Sequence, residues 1–310
     1  MVRGINKSKI FDDDEDKARF LERLGQNVLE GKCSVYAWVL MDNHVHILFK
    51  SGKHGISAIM RKQLTWYAQY YNRRHKRTGH LFENRYKSIL CDEDNYLLAL
   101  IRYIHLNPLR ANIVKTIEAL DRYSFCGHRA IRGKAKYPWM DIEYILLQFG
   151  RTRRKGLAEY GKFMREGVGL GKQPELTGGG LLRSLGGWSQ VIARRRTGNA
   201  EEGDERILGS GDFVHAILKE TEERELRQLK LKRSGRTIQK IIEEECKKGG
   251  ISPQEVMNGV RRRAVSSLRA EIASRGRTEL GLSSAEMARH LGVAASSISR
   301  LIERIEVKSD

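Results

Sequence analysis

The stretch that decides the fold reads Val35-Tyr36-Ala37-Trp38-Val39-Leu40-Met41-Asp42-Asn43-His44-Val45-His46-Ile47-Leu48-Phe49. Val35 to Met41 is β-rich, Asp42-Asn43 supplies turn chemistry, and His44 to Phe49 returns as a second strand. The pattern predicts a hairpin. Side chains alternate along a strand, so His44 and His46 share one face while Val45 and Ile47 take the other. Two imidazoles on one face can hold a divalent metal; a solvated or structurally hydrogen-bonded pair is the plain alternative. A zinc hydrolase would need a further His or Asp soon after, and Ile47-Leu48-Phe49-Lys50 supplies none.

Working outward, Asp12 to Leu29 reads as an acidic-capped amphipathic helix, with Phe20, Leu21, Leu24 and Val28 on one side. A second helix is expected from about Ile56 to Tyr71 and a further strand from Leu81 to Leu90. The next helix opens at Asp92-Glu93-Asp94 and stops near Asn107, before Pro108. This order predicts the α+β class: an antiparallel sheet with helices on one face.

In that last helix Leu97, Leu100, Ile101 and Ile104 form the apolar stripe. Tyr103 and Asn107, four apart, are neighbours on its flank. Tyr103 can simply rest at the core edge, but beside the histidine pair it becomes a candidate nucleophile. The Asn107 carbonyl oxygen can complete a His₂-Asn set suited to Mg²⁺ or Mn²⁺ as well as Zn²⁺. His105 lies on another face and ranks below Asn107 as third ligand.

A phenol ionises only near pH ~10, so as a nucleophile it needs help, which a metal polarising the phosphate supplies. Attack would leave a phosphotyrosine and a free hydroxyl on the other DNA end, storing the bond without a nucleotide cofactor. Gly156-Leu157-Ala158-Glu159-Tyr160-Gly161-Lys162 has phosphate-loop glycine spacing, but Phe163 replaces the Ser/Thr and no strand precedes it.

The chain has 310 residues, 40% of them hydrophobic, enough for about two domains with real cores. Its net charge of +19 favours a polyanion, because each neutralised phosphate releases condensed counterions. A basic ribosomal or membrane-surface protein is the alternative. Four scattered cysteines, no signal-peptide core and no apolar stretch approaching ~20 residues lead to a cytoplasmic protein with no membrane partner.

The catalytic unit is expected to span 1–150 and a Gly/Arg-rich connector 151–211, containing Gly178-Gly179-Gly180 and Arg194-Arg195-Arg196, with Trp188, Val191 and Ile192 able to dock. An all-α domain follows over 212–310. Within it, residues 284–304 carry helix-turn-helix spacing: Ala288 permits close crossing, Gly292 makes the turn, and Val293, Ile298 and Leu301 face inward. Ser283 with Glu286, and Ser252 with Glu255, read as capping boxes. Ser296, Ser297 and Arg300 would face a major groove; plain scaffold is the alternative. In the front half, Arg61, Lys62, Trp66, Tyr67, Tyr70 and Tyr71, followed by Arg73-Arg74-His75-Lys76-Arg77, interleave charge with rings as single strands require. Core packing of the rings is equally open there. Arg85 and Lys87 are stronger candidates for phosphate contact.

Three separated motifs resemble the single-tyrosine HUH transposases, and among them the REP-associated tyrosine transposases. They are Val39-Leu40-Met41-Asp42-Asn43-His44-Val45-His46, Gly79-His80-Leu81-Phe82-Glu83-Asn84-Arg85-Tyr86-Lys87, and Arg102-Tyr103-Ile104-His105-Leu106-Asn107-Pro108-Leu109-Arg110-Ala111. The resemblance covers roughly residues 2–130. It implies a ferredoxin-like domain that cleaves single-stranded DNA beside imperfect hairpins with Mg²⁺ or Mn²⁺; monomer and homodimer both stay open. By motif match, His44 and His46 hold metal, Tyr103 attacks, and Asn107 stands at the third-ligand position. Such proteins begin with a further strand ending like Val2-Arg3-Gly4. Here nearly all of it is missing, so either the true start lies upstream or a sheet edge is left unpaired. Asp42 stands where proline is common. The stretch from about Thr237 to Arg304 resembles, more loosely, the DNA-binding domain of the DnaA replication initiator, implying duplex contact. The expected function is thus a metal-dependent DNA nuclease and strand transferase. The alternative is a non-catalytic DNA-binding regulator, a domesticated transposase relative.

Overall fold

Asp42-Asn43 makes the tight turn between two antiparallel strands, Ser34–Met41 and His44–Lys50. In a computed structural model describing residues 1–52, 55–170, 176, 204, 206–260 and 262–308, this hairpin is the heart of a three-stranded sheet. In chain order the elements around it are β1 (Val2–Arg3), α1 (Asp14–Glu30), β2 (Ser34–Met41), β3 (His44–Lys50) and α2 (Ser57–Arg74), then β4 (Leu90–Cys91) and α3 (Glu93–His105). The sheet order is β1-β3-β2, with Val2 opposite Val45 and Arg3 opposite His44.

Neither outer edge is bare. Along β1, the Ile5 N–H donates to the Leu81 carbonyl (3.0 Å), the Glu83 N–H to Arg3 (3.0 Å) and the Lys87 N–H to Met1 (2.9 Å). The short β1 is thus bonded on both sides, and its register with β3 covers His44 and Val45 alone, so an upstream start and an edge partly left unpaired both stay open. The predicted strand over 81–90 is this irregular run; only Leu90–Cys91 is regular, paired in parallel with β5 (Ile207–Leu208). Along β2, Leu40 donates to the Phe125 carbonyl and Gly127 to Trp38, while Val35 bonds Trp139 and accepts from Asp141. Such coverage protects the edge from foreign strands.

The α1 N-terminus is set by Asp13, whose carboxylate accepts from the Asp16 N–H at 3.0 Å, with Asp14, Glu15 and Asp16 in the first turn where the dipole favours negative charge. Helices lie on both faces of the sheet, not one as expected. Every residue of β2 from Val35 to Met41 is buried, so both faces need cover. On one face Trp38 packs on Trp139, which Gly25 of α1 touches. On the other, α3 lies over the histidines of β3. Leu97, Ile101 and Ile104 of α3 are buried in the shared core; each such side chain contributes roughly 1.5–3 kcal/mol when removed from water.

After α3 come short helices α4 (Asn107–Arg110), α5 (Ile117–Leu120), α6 (His128–Ile131) and α7 (Ile142–Leu147), then α8 (Arg153–Glu166). α8 falls in the stretch expected to be connector, yet it buries Tyr160 and Met164 in the first core, because Tyr160, Phe163 and Met164 give it an apolar side. Gly178-Gly179-Gly180, Trp188, Val191, Ile192 and Arg194-Arg195-Arg196 lie outside the described residues. The chain divides into units Met1–His215 and Ala216–Asp310.

α9 (Gly211–Arg233) begins before this division, and the second unit continues with α10 (Ile238–Gly249), α11 (Pro253–Met257), α12 (Arg263–Leu280), α13 (Ser284–Leu291) and α14 (Ala295–Lys308). Ile241, Val256, Val265, Ile272, Met287, Leu291 and Ile298 form its core. Both capping boxes form, at Ser252/Glu255 and Ser283/Glu286. Gly292 ends α13 at φ 60°, and a Cβ there would meet the Met257 carbonyl oxygen.

Candidate active site

The alternation along β3 puts Val45 into the core with Val2, and sends His44 and His46 to the opposite face. Their rings lie 5.1 Å apart, nearly perpendicular. The ring of Tyr103, on α3, lies 6.2 Å from that of His46. One chain thus brings its own tyrosine to its own histidine pair.

Asn43 in the turn fixes the tautomer of His44. Its amide nitrogen donates to the Lys7 carbonyl at 3.0 Å, so its oxygen, 2.6 Å from His44 Nδ1, is the acceptor. His44 must then carry its proton on Nδ1 and present an unprotonated Nε2, the arrangement that outer hydrogen bonds give to metal-binding imidazoles. Burial, with Arg3 adding repulsion, lowers the His44 pKa to about 4. Burial, then His44 and Arg3, lowers that of His46 to about 3. Both rings are neutral at pH 7, the state in which imidazole binds a metal.

Tyr103 is half-buried, and burial raises its pKa while Arg110 opposes the shift. The Arg110 guanidinium stands 5.1 Å from the centre of the Tyr103 ring and donates to the Tyr103 carbonyl at 3.0 Å. Asn107 donates its amide nitrogen to the Tyr103 and Ile104 carbonyls, at 3.1 and 3.3 Å, so its oxygen takes no part in those bonds. His105 is fully buried elsewhere, its Nδ1 3.0 Å from the Tyr160 hydroxyl. Arg110 and Arg3 were missed from the sequence: one is revealed by the turn after Pro108, the other by strand register.

The proposed DNA-contacting residues divide. Arg61 and Lys62 are exposed, Lys62 lying 3.8 Å from Glu30. Trp66 and Tyr70 stack face to face with centres 5.5 Å apart, and Arg23 lies over Trp66. Tyr67 and Tyr71 are core residues, with hydroxyls bonded to the Ile10 carbonyl and to Asp12. Within the basic run, Arg74 is held by Asp13, Glu15 and Asp16, and His75 by Asp16. Those two serve the α1–α2 contact rather than a free basic surface. Arg85 and Lys87 are exposed on the run that flanks β1. In the second unit, Ser296 and Arg300 are exposed and Ser297 half-exposed, while Ile298 and Leu301 are buried.

Among the described residues, the group of three His and acidic side chains at metal-binding spacing is Asp12, Asp16 and His75. Arg74 and His75 already occupy Asp16, so this is an ion-pair network.

Residues 1–107 match the family model described as "Transposase IS200 like", which supports a transposase domain at the front of the chain and a DNA-processing role for it. No curated protein and no solved structure matches the chain. No helix among the described residues is long and apolar enough to cross a membrane.

Proposed function

We propose that the front of the chain is a metal-dependent single-strand DNA nuclease and strand transferase in which Tyr103 is the covalent nucleophile. The observation that carries this reading is the juxtaposition of Tyr103 with His46 and His44 within one chain. The order of β1, β3 and β2, with the run over 81–87 bonded beside β1, supports a ferredoxin-like sheet in this reading, in keeping with the family match.

Two neutral imidazoles and the Asn107 amide oxygen make a nitrogen–oxygen donor set that suits Mn²⁺, and Mg²⁺ when phosphate oxygens complete its shell. When bound, the ion would polarise the scissile phosphate and offset its developing charge. The chain's own residues supply the rest. Asn43 orients His44. Arg110, over the ring, favours the phenolate that burial disfavours. The Tyr103 Oη–P bond forms as the P–O bond to the departing strand breaks; the phenolic proton is released and the departing oxygen leaves as a hydroxyl. Reversal by an incoming hydroxyl rejoins DNA without nucleotide hydrolysis.

The second unit acts, in this reading, as a helix-turn-helix domain on duplex DNA, with Ser296, Ser297 and Arg300 outward. Incubation with hairpin-bearing single strands tests the front half. A denaturation-resistant protein–DNA adduct should form with Mn²⁺ or Mg²⁺, vanish with a chelator and be absent in Tyr103→Phe. A Tyr103→Phe protein that cuts as well as its parent contradicts the assignment, and a wild-type protein that binds DNA without cutting leaves the regulator.

A further inference from the structure

We propose that Arg3 is a substrate-phosphate contact on the histidine face, taking a non-bridging oxygen of the strand held at His44 and His46. The proposal rests on the nuclease reading and adds a residue to it.

Register is the first support. Arg3 is the cross-strand partner of His44, as Val2 is of Val45. Partners share a face with Cβ atoms ~5 Å apart, and the Val2–Val45 pair is core, so Arg3 rises beside the imidazoles. Its backbone is pinned: the Arg3 carbonyl accepts from Glu83 and the Gly4 N–H donates to the Asn43 carbonyl. A Cβ at Gly4 would meet the Ser8 carbonyl oxygen at 2.2 Å, so only glycine fits the close approach that follows Arg3. The second support is charge. Arg3 is half-buried, and among the described residues no carboxylate pairs with it. A partly desolvated guanidinium without an anion is costly, and a phosphate relieves it through charge-assisted bonds.

A consequence separates this role from scaffolding. Without DNA, Arg3 repels a cation at the histidines; with a phosphate between them, both cations share one anion. Removing Arg3 should therefore weaken DNA binding while leaving DNA-free metal binding equal or tighter.

The test uses the full chain carrying Tyr103→Phe to prevent cutting, with Mn²⁺ and a fluorescent 20-nucleotide oligodeoxythymidine as probes. Arg3→Gln should weaken the Mn²⁺-dependent part of oligonucleotide binding about 10- to 30-fold and lower the salt slope by about 0.7. The Mn²⁺ affinity of the DNA-free protein should not fall. Arg3→Lys should recover part of the loss. The proposal is overturned if oligonucleotide binding changes less than twofold, if Mn²⁺ does not strengthen it in the Tyr103→Phe parent, or if both affinities fall together. Absence of an adduct with wild-type protein sinks the nuclease reading separately, since none of these readouts requires cutting.

Discussion

Glu93 lies 3.6 Å from Lys50 at one end of the contact between α3 and β3, and Tyr103 meets His46 at the other. About 15 Å of helix separates Glu93 from Tyr103 at roughly 1.5 Å per residue. About 13 Å of strand separates Lys50 from His46 at roughly 3.3 Å per residue. The two lengths agree, so helix and strand run side by side as matched rulers. Glu93 also accepts from the hydroxyls of Tyr36 and Tyr144, at 3.0 and 2.7 Å, which fixes the start of α3.

Glu93→Ala should therefore act on catalysis from a distance. Displacing a nucleophile by about 1 Å can cost on the order of 100-fold; a loosened helix start should slow adduct formation about 10-fold. Mn²⁺ affinity, measured by titration calorimetry, should stay within twofold. A matching loss of metal affinity would show that Glu93 supports the histidines instead.

Asn43→Ala removes the acceptor that orients His44. Outer-shell partners of metal-bound imidazoles are typically worth 10- to 100-fold in affinity, so Mn²⁺ binding should weaken by about 10-fold or more. Unchanged affinity would mean that the histidine pair does not hold the ion in this tautomer.

The first core contains a second histidine pair, which should contribute to sensitivity to acid. His128 joins Asp121 and Tyr160, whose hydroxyl also meets His105. Burial lowers the pKa of His105 and His128 from the ordinary value of 6.5, as it does for His44 and His46. The folded state therefore resists protonation while the unfolded chain accepts it. This stabilisation is complete above about pH 6.5 and is lost as pH falls below it. Asp121, held down to about 2 chiefly by its hydrogen bond with His128, adds a loss confined to pH below about 4. Urea midpoints for the full chain should fall between pH 7.5 and 5.5 with unchanged slope. A flat or rising midpoint over that interval contradicts the burial of these neutral rings.

Gly292→Ala should destabilise the second unit. The backbone there is left-handed at φ 60°, and the added methyl would collide with the Met257 carbonyl. Strain of this kind costs on the order of 1–3 kcal/mol. Thermal melting should show a lower transition for the tail, with adduct formation on short oligonucleotides preserved. Arg300→Ala, by contrast, should weaken duplex binding while leaving both melting and short-strand cutting unchanged.

The hairpin and the helices α1, α2 and α3 were legible because period-two and helical patterns, the acidic N-termini of α1 and α3 and the Asp42-Asn43 turn all agree locally. The proximity of Tyr103 to His46 could be anticipated only as a motif combination, since helix and strand meet through tertiary packing. Arg3 was not legible as a site residue: its importance lies in a register partner across the sheet. Arg74 looked like a free basic residue because the acids that bind it are distant in sequence. α8 was hidden by its glycines and basic residues; its few apolar side chains sufficed to dock it. The 81–87 run lacks regular strand geometry, so a strand pattern there overstated its order.

The most direct measurement is mass spectrometry of the protein–DNA adduct after nuclease and trypsin digestion. Cleavage after Arg102 and Arg110 isolates a peptide from Tyr103 to Arg110 with a single tyrosine. The account predicts that this peptide carries the residual nucleotide and that Tyr103→Phe yields no modified peptide. A nucleotide on any other peptide, or an adduct that survives Tyr103→Phe, would contradict it.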